Sequence, residues 1–93
     1  MSILEWKPYL SFRMQPVDEK EMGCILQAEC YARNGSYGCA SINHIPQGYI
    51  LTANNMDTGN EWKSPDDIFP TIEAAKEAAD KLWKPVVWKE MNK

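Results

Sequence analysis

The stretch Phe69-Pro-Thr-Ile-Glu-Ala-Ala-Lys-Glu-Ala-Ala-Asp-Lys-Leu-Trp83 decides the fold, because its repeat is that of an amphipathic helix. At about 100° per residue, the apolar half of this helix contains Ile72, Ala74, Ala75, Ala78, Ala79, Leu82 and Trp83. The charged half contains Glu73, Lys76, Glu77, Asp80, Lys81 and Lys84, and Lys76 is expected to pair with Asp80 one turn away. Thr71 is the predicted N-cap, and Pro85 prevents the helix from continuing. An apolar face made mostly of alanine lets the helix axis approach its partner closely, which favours packing on a β-sheet.

Four runs before the helix predict the strands of that sheet. In Trp6–Gln15, Leu10, Phe12 and Met14 alternate with polar residues, which is typical of a half-buried strand. A charged, solvated connection follows over residues 16–23. Two longer alternating runs occupy residues 24–33 and 36–45, and Tyr49–Ala53 is a short β-branched and aromatic run that predicts a fourth strand.

The two longer runs are joined by Asn34-Gly35, a strong signal for a β-hairpin. A two-residue type I′ turn would pair Ala32 with Tyr37, whereas a type I turn with Gly35 in a left-handed bulge would pair Ala32 with Ser36. A slip of one residue moves every side chain to the other face of the sheet. The bulged turn is favoured because it collects small residues on one face, where the alanine-rich helix can pack. That face would contain Cys24, Leu26, Ala28, Cys30, Gly38, Ala40 and Ile42.

These elements predict a single α+β domain over residues 1–93. Its antiparallel sheet has about four strands in the order β-β-β-β-α, with one helix on one face. Val86-Val-Trp88 predicts a short C-terminal edge strand, and Ser64-Pro-Asp-Asp67 predicts a single helical turn.

Composition and charge restrict the classes of function. A chain of 93 residues forms one core but does not readily enclose a deep cleft, which disfavours an enzyme. The net charge of −3 provides no phosphate-binding surface, so a nucleic-acid partner is disfavoured as well. No apolar run is long enough to span a membrane, and the N-terminus does not have the pattern of a signal peptide. We therefore expect a cytoplasmic location and no membrane partner.

Three cysteines and His44 supply the atom types of a zinc site. Zinc ligands usually occur in pairs separated by about two to four residues, whereas these residues are spread along extended strands. No cysteine opens a helix, where a thiol pKa would be lowered. We expect free thiols, no metal and no cofactor, and Asp57–Glu61 has the composition of an ordinary turn rather than of a calcium loop.

The predicted binding site lies on the hairpin face opposite the helix. Tyr31 and Tyr37 would form a cross-strand aromatic pair there. Aromatic and arginine residues are enriched at protein interfaces, although stacked aromatics also bind single-stranded nucleic acid. The predicted binding residues are Tyr31, Tyr37, Arg33, Glu29 and Ile25. The expected partner is a host protein, or a second copy in a homodimer through this open sheet face; alternatively, the loop at 54–61 carries the binding site and the rings only cover the sheet.

The order of strands followed by a helix that begins Phe-Pro-Thr-Ile-Glu-Ala-Ala-Lys resembles that of small phage and prophage accessory proteins. Among these are stoichiometric inhibitors of bacterial defence systems of the anti-CRISPR kind. The resemblance is one of size, acidity and architecture, and it transfers no functional residue. It implies a non-enzymatic binder that acts by occupying the surface of a host protein. A nucleic-acid-binding sheet is the second hypothesis and a small enzyme is the third.

Overall fold

The computed structural model describes residues 3–32, 35–56, 58 and 66–86. In chain order its elements are β1 (Lys7–Pro8), β2 (Gly23–Tyr31), β3 (Tyr37–Ile45), β4 (Gly48–Asn55), α1 (Ile72–Leu82) and β5 (Lys84–Pro85). The antiparallel sheet has the strand order β1-β2-β3-β4, and β5 pairs with the same edge of β2 as β1 but further along it. The predicted α+β class, with one helix on one face of the sheet, is confirmed.

Helix α1 begins and packs as its sequence predicts. The Thr71 hydroxyl accepts a hydrogen bond from the Ala74 amide at 3.1 Å, which satisfies one of the orphan donors of the first turn. Ala75 and Ala79 are completely buried, and the helix contacts β3 and β4. The buried Trp83 ends the helix, with its amide donating to the Ala79 carbonyl at 2.9 Å. Small side chains at the centre and a large one at the end therefore place α1 flat on the sheet.

Asp80 has a role that the charge pattern did not indicate. Its carboxylate accepts hydrogen bonds from the backbone amides of Ile3, at 3.1 Å, and Leu4, at 3.3 Å. Leu4 is buried in the core. Lys76, which was expected to pair with Asp80, lies 3.7 Å from the Glu73 carboxylate. Because hydrogen bonds to a carboxylate are among the stronger ones, Asp80 attaches the N-terminal segment to the helix.

The central hairpin adopts the bulged register. Tyr31 lies opposite Tyr37, and Ala28 lies opposite Ala40. Gly35 has a φ of 86°, and its amide donates to the Ala32 carbonyl at 2.9 Å. A left-handed glycine after a type I turn is the geometry of a three-residue hairpin loop with a bulge, so this prediction is confirmed.

A second bulge, in β2, corrects two of the sequence predictions. The register shifts between Cys24 and Leu26, so that Ile25 is an extra residue in its strand. Ile25 is 1% exposed and belongs to the core, whereas it was predicted on the open face. Cys24 lies opposite Asn43 and so shares that open face, whereas it was predicted to face the helix. The reason is physical: one inserted residue reverses the alternation of every residue before it.

The strand predicted over Trp6–Gln15 is also wrong beyond Pro8. Leu10, Phe12 and Met14 are 44%, 91% and 74% exposed, and the chain turns back on itself at Ser11. The Ser11 amide donates to the Gln15 carbonyl at 2.9 Å, and the Met14 amide donates to the Ser11 carbonyl at 2.8 Å. Alternation alone misled the prediction, because no second layer of the described structure receives these apolar side chains.

This N-terminal turn repeats the hydrogen-bond pattern of the Gly35 turn. Ala32 donates to the Ser36 carbonyl as Ser11 donates to that of Gln15, and Met14 stands where Gly35 stands in the other hairpin. Met14 accordingly has a φ of 62°. A left-handed conformation costs a residue with a side chain about 1–2 kcal/mol. At this position glycine would be less strained than methionine.

Two short predicted elements fall at the borders of the described residues. The C-terminal edge strand is present over Lys84–Pro85, opposite Tyr31 and Cys30, two residues before its predicted start. The rest of that predicted strand, Val87-Trp88, lies outside the described residues. Ser64 and Pro65 of the predicted helical turn lie outside them as well.

At Gly48 the backbone of β4 approaches the backbone of the segment that leads into α1. Tyr49 and Phe69 exchange two backbone hydrogen bonds, at 2.9 and 2.7 Å. Gly48 has a φ of 146°, and a Cβ atom added to it would lie 2.5 Å from the Phe69 carbonyl oxygen. Only a residue without a side chain fits here, so Gly48 positions the start of the helix relative to β4.

We expect Ala79→Leu to lower the melting temperature by several degrees or more, because a larger side chain forces α1 away from the sheet at a cost of about 1–3 kcal/mol. Lys81→Ala, on the exposed side of the same turn, is the control and should change stability by less than about 0.5 kcal/mol. Thermal unfolding followed by circular dichroism measures both. Equal effects of the two variants would contradict the close packing of this helix face.

We expect Gly48→Ala to destabilise the fold more than Gly35→Ala. Both glycines have positive φ, 86° at Gly35 and 146° at Gly48, so each substitution introduces backbone strain. The Cβ at position 48 also meets backbone, whereas a Cβ placed at Gly35 has no described atom within 4 Å beyond its chain neighbours. Urea unfolding of the two variants measures the difference, and equal losses of stability would show that the Phe69 segment moves away without resistance.

Candidate functional site

The candidate site lies on the sheet face opposite α1, which we call the open face. The two registers place alternate residues of the three long strands on it. They are Cys24, Gln27, Glu29 and Tyr31 in β2, Tyr37, Cys39, Ser41 and Asn43 in β3, and Ile50, Thr52 and Asn54 in β4. The intervening residues Ala40, Ile42, Leu51 and Ala53 are buried on the helix side. The open face is therefore mostly polar, with its aromatic residues at the end nearest the Gly35 turn.

Tyr31 and Tyr37 form the predicted cross-strand pair. Their ring centroids lie 5.8 Å apart and the ring planes are inclined by 58°. Both residues are half-buried, so part of each ring remains accessible. Tilted pairs at this separation are favourable beyond the area that they bury. The two rings therefore support each other in a fixed arrangement.

Glu29 belongs to the same end of the open face. Desolvation raises the pKa of Tyr37 to about 12, with hydrogen bonding to the Glu29 carboxylate as the next largest cause. The Tyr37 hydroxyl is therefore protonated at neutral pH and can act as a hydrogen-bond donor. This interaction links the aromatic pair to the polar residues along the strands.

A groove of about 580 Å³ begins beside Glu29. Its floor consists of open-face residues of the three long strands, namely Gln27, Glu29, Cys39, Ser41 and Asn54. Its walls are the N-terminal segment over residues 7–10, which pairs with the edge of β2, and Pro85 with Val86, which follow the helix. Ala28, Met56 and Glu5 also line the groove. The volume suffices for a few side chains of a partner.

The structure brings together only part of the predicted binding set. Tyr31, Tyr37 and Glu29 are adjacent on the open face, Ile25 lies in the core, and Arg33 lies outside the described residues. Sequence reasoning missed Gln27 and Ser41, although the period-2 alternation that selected Glu29 places them on the same face. It also missed the wall formed by residues 7–10, because no local signal shows which strand edge a distant segment joins.

The three cysteines are free thiols with raised pKa values. Cys30 faces the helix side, and burial raises its pKa to about 12. Burial also raises the pKa of Cys24 and of Cys39, both on the open face. Their thiols lie 3.7 Å from the Leu26 carbonyl and 3.6 Å from the Ala40 carbonyl, respectively. Because the thiolate is the reactive form, all three are weak nucleophiles at neutral pH.

His44 does not join these open-face thiols. It stands on the helix side of β3, where its ring stacks on Tyr49 at 4.8 Å. Its Nδ1 lies 3.2 Å from the Glu21 carbonyl, an arrangement in which that nitrogen donates. Within the described part of the chain, no group of three or more His, Cys, Asp or Glu residues has the geometry to hold a metal ion. The described residues also include no helix with the length and apolarity needed to cross a membrane.

We expect iodoacetamide to label Cys24 and Cys39 slowly at neutral pH and to leave Cys30 unlabelled until the protein unfolds. Raised pKa values mean that the thiolate fraction, and with it the labelling rate, should keep increasing above pH 9.0, the ordinary thiol pKa. Peptide mass spectrometry resolves the three sites, and the urea-unfolded chain is the control. Rapid labelling of Cys30 in the folded protein would contradict its burial.

Comparison of the chain with protein-family models, with curated proteins and with solved structures finds no match. The aromatic pair and the groove are therefore the observations on which a function can be proposed.

Proposed function

We propose that the chain is a non-enzymatic protein-binding module whose open face binds the surface of a host protein. The observation that carries this proposal is the Tyr31–Tyr37 pair, whose rings lie 5.8 Å apart at the end of the open face. Tyrosine is among the residues that most often dominate the energy of protein interfaces. It buries a large area while losing few rotatable bonds.

The pair is favourable for binding because it is already ordered in the free chain. The contact between the rings restrains both side chains. An interface built on side chains that are already fixed loses less conformational entropy when the partner binds. The groove beside Glu29 offers a recess for side chains of the same partner.

Charge favours a protein over a nucleic acid as the partner. The chain has a net charge of −3. Among the described residues that line the groove, two are carboxylates, Glu5 and Glu29, and one is a cation, Lys7. Phosphate groups would be repelled on balance, whereas a protein surface with basic or neutral residues would not be. This preference argues against a nucleic-acid-binding sheet.

The chemistry of the open face supports binding rather than catalysis. Burial raises the pKa of both open-face thiols, Cys24 and Cys39, and His44 stands on the other side of the sheet. A cysteine nucleophile needs a lowered pKa or a neighbouring base. The resemblance in size and architecture to anti-defence proteins of phages supports a narrower proposal, a stoichiometric inhibitor that occupies a host protein surface.

We expect Tyr31→Ala combined with Tyr37→Ala to abolish binding to the host partner, because both aromatic anchors are lost. The partner is identified by pull-down from a bacterial lysate with mass spectrometry, and its affinity for purified variants is then measured by calorimetry. Tyr31→Phe with Tyr37→Phe is the matched control, since it keeps the rings and should retain most of the affinity. Circular dichroism verifies that each variant is folded.

Two results would contradict this site and this class of partner. If the double alanine variant binds normally while Asn54→Ala or Met56→Ala abolishes binding, the site lies at the end of β4 and the tyrosines have a structural role. If the purified chain binds a nucleic acid with an affinity that falls steeply as salt is added, the main contacts are with phosphates and the partner is a nucleic acid.

A further inference from the structure

The two most exposed large apolar side chains of the described structure, those of Phe12 and Met14, lie in one turn. Phe12 is 91% exposed and Met14 is 74% exposed, and Leu10 precedes them at 44%. The Arg13 guanidinium lies 5.5 Å from the centre of the Phe12 ring. We call residues 10–14 the knob. Exposed apolar side chains grouped in one short segment of a small protein often mark an interaction site.

The knob is held in shape by its backbone. Ser11 and Gln15 are joined by a hydrogen bond of 2.9 Å, and the Val17 amide donates to the Tyr9 carbonyl at the base of the turn, also at 2.9 Å. Met14 is kept in the left-handed conformation in which glycine would be less strained. Its side chain does not contribute to the core of its own chain. Strained residues concentrate at functional sites, so the exposed Met14 side chain suggests binding rather than folding.

The groove of the open face is large enough to receive the knob, and the two differ in charge. It starts where the knob starts, because Tyr9 and Leu10 line it, and much of its wall is apolar, formed by Pro8, Met56, Pro85 and Val86. Among its described lining residues, the carboxylates Glu5 and Glu29 outnumber the one cation, Lys7, so the groove has the opposite sign to Arg13 of the knob. The volume of about 580 Å³ accommodates an aromatic ring together with a methionine side chain.

We propose that the knob of one chain binds in the groove of a second copy, forming a two-fold symmetric dimer. In such a dimer the knob of each chain occupies the groove of the other chain. The contact between knob and groove therefore occurs twice. Each of the two Phe12 side chains buries about 150–250 Å² of its own surface in the dimer. With Leu10, Met14 and the walls of the groove, the total is near the lower limit of stable interfaces, roughly 1,000–1,200 Å². Interfaces of this size are typical of weak and transient contacts.

This inference does not depend on the proposed function, because neither Tyr31 nor Tyr37 lines the groove. It has a consequence for that function. A host protein that inserts side chains into the groove must displace the second copy, so dimer formation and partner binding compete.

Sedimentation equilibrium of the purified chain over a range of concentrations tests the dimer. We expect a reversible monomer–dimer equilibrium, and Phe12→Ser should raise its dissociation constant by about thirtyfold or more, the effect of losing a central aromatic anchor. Met14→Gly is the matched second variant. It should weaken the dimer while leaving thermal stability equal or higher, because glycine relieves the left-handed backbone.

Charge reversal and thiol labelling identify the surface that the knob contacts. Arg13→Glu should weaken the dimer, and the additional change Glu5→Lys in the same chain should restore much of the affinity.

Cys39 lines the groove whereas Cys24 does not. Labelling of Cys39 relative to Cys24 should therefore slow as the concentration of the wild-type chain increases, and in Phe12→Ser it should not.

Several outcomes would overturn the proposal. One is a wild-type chain that stays monomeric to millimolar concentration, and another is a dimer that Phe12→Ser leaves intact. Loss of binding to a different protein or to lipid vesicles in Phe12→Ser, with the wild-type chain monomeric, would show that the knob has another occupant. Tyr31→Ala combined with Tyr37→Ala should dimerise normally, which separates failure of this inference from failure of the proposed function.

Discussion

The left-handed conformation of Gly35 is the constraint on which the rest of this structure depends. With φ at 86° the hairpin closes with a bulge, and Ala28 then lies opposite Ala40. A tight two-residue turn would exchange the two faces of β3. The alanines of α1 would then meet tyrosine and serine instead of small residues, and the helix could not lie close to the sheet. The fold and the location of the candidate site thus both follow from one backbone torsion.

The remaining elements are attached to this hairpin by contacts between distant parts of the chain. Gly48 allows β4 and the segment at Phe69 to approach, and this approach positions the start of α1. Asp80 holds the N-terminal segment against the helix through the amides of Ile3 and Leu4. That segment then pairs with the edge of β2 and forms one wall of the groove. The groove is therefore assembled from residues at both ends of the described chain.

The aromatic pair and the knob are two different kinds of apolar surface. Tyr31 and Tyr37 are half-buried and supported by each other, so they combine a fixed arrangement with partial accessibility. Phe12 and Met14 are exposed at the tip of a turn and add nothing to the core of their own chain. The pair has the features of anchor residues in a binding surface. The knob protrudes, so its side chains would be buried only by insertion into a recess. The groove begins beside Glu29 at one end and beside Leu10 of the knob at the other.

The sequence by itself determined the helix, the central hairpin and its register, because each depends on residues close together in the chain. Thr71 caps the helix, Gly35 permits the left-handed turn, and alternation then assigns Tyr31, Tyr37 and Glu29 to one face. Only the tertiary structure decided the position of Ile25, because the strand bulge that buries it adjusts β2 to its neighbours and has no marker such as glycine. The same is true of residues 10–14: their alternation is that of a half-buried strand, but whether a core receives such side chains depends on layers formed elsewhere in the chain. Turns and caps depend on residues that are neighbours in the chain, whereas burial depends on the whole fold.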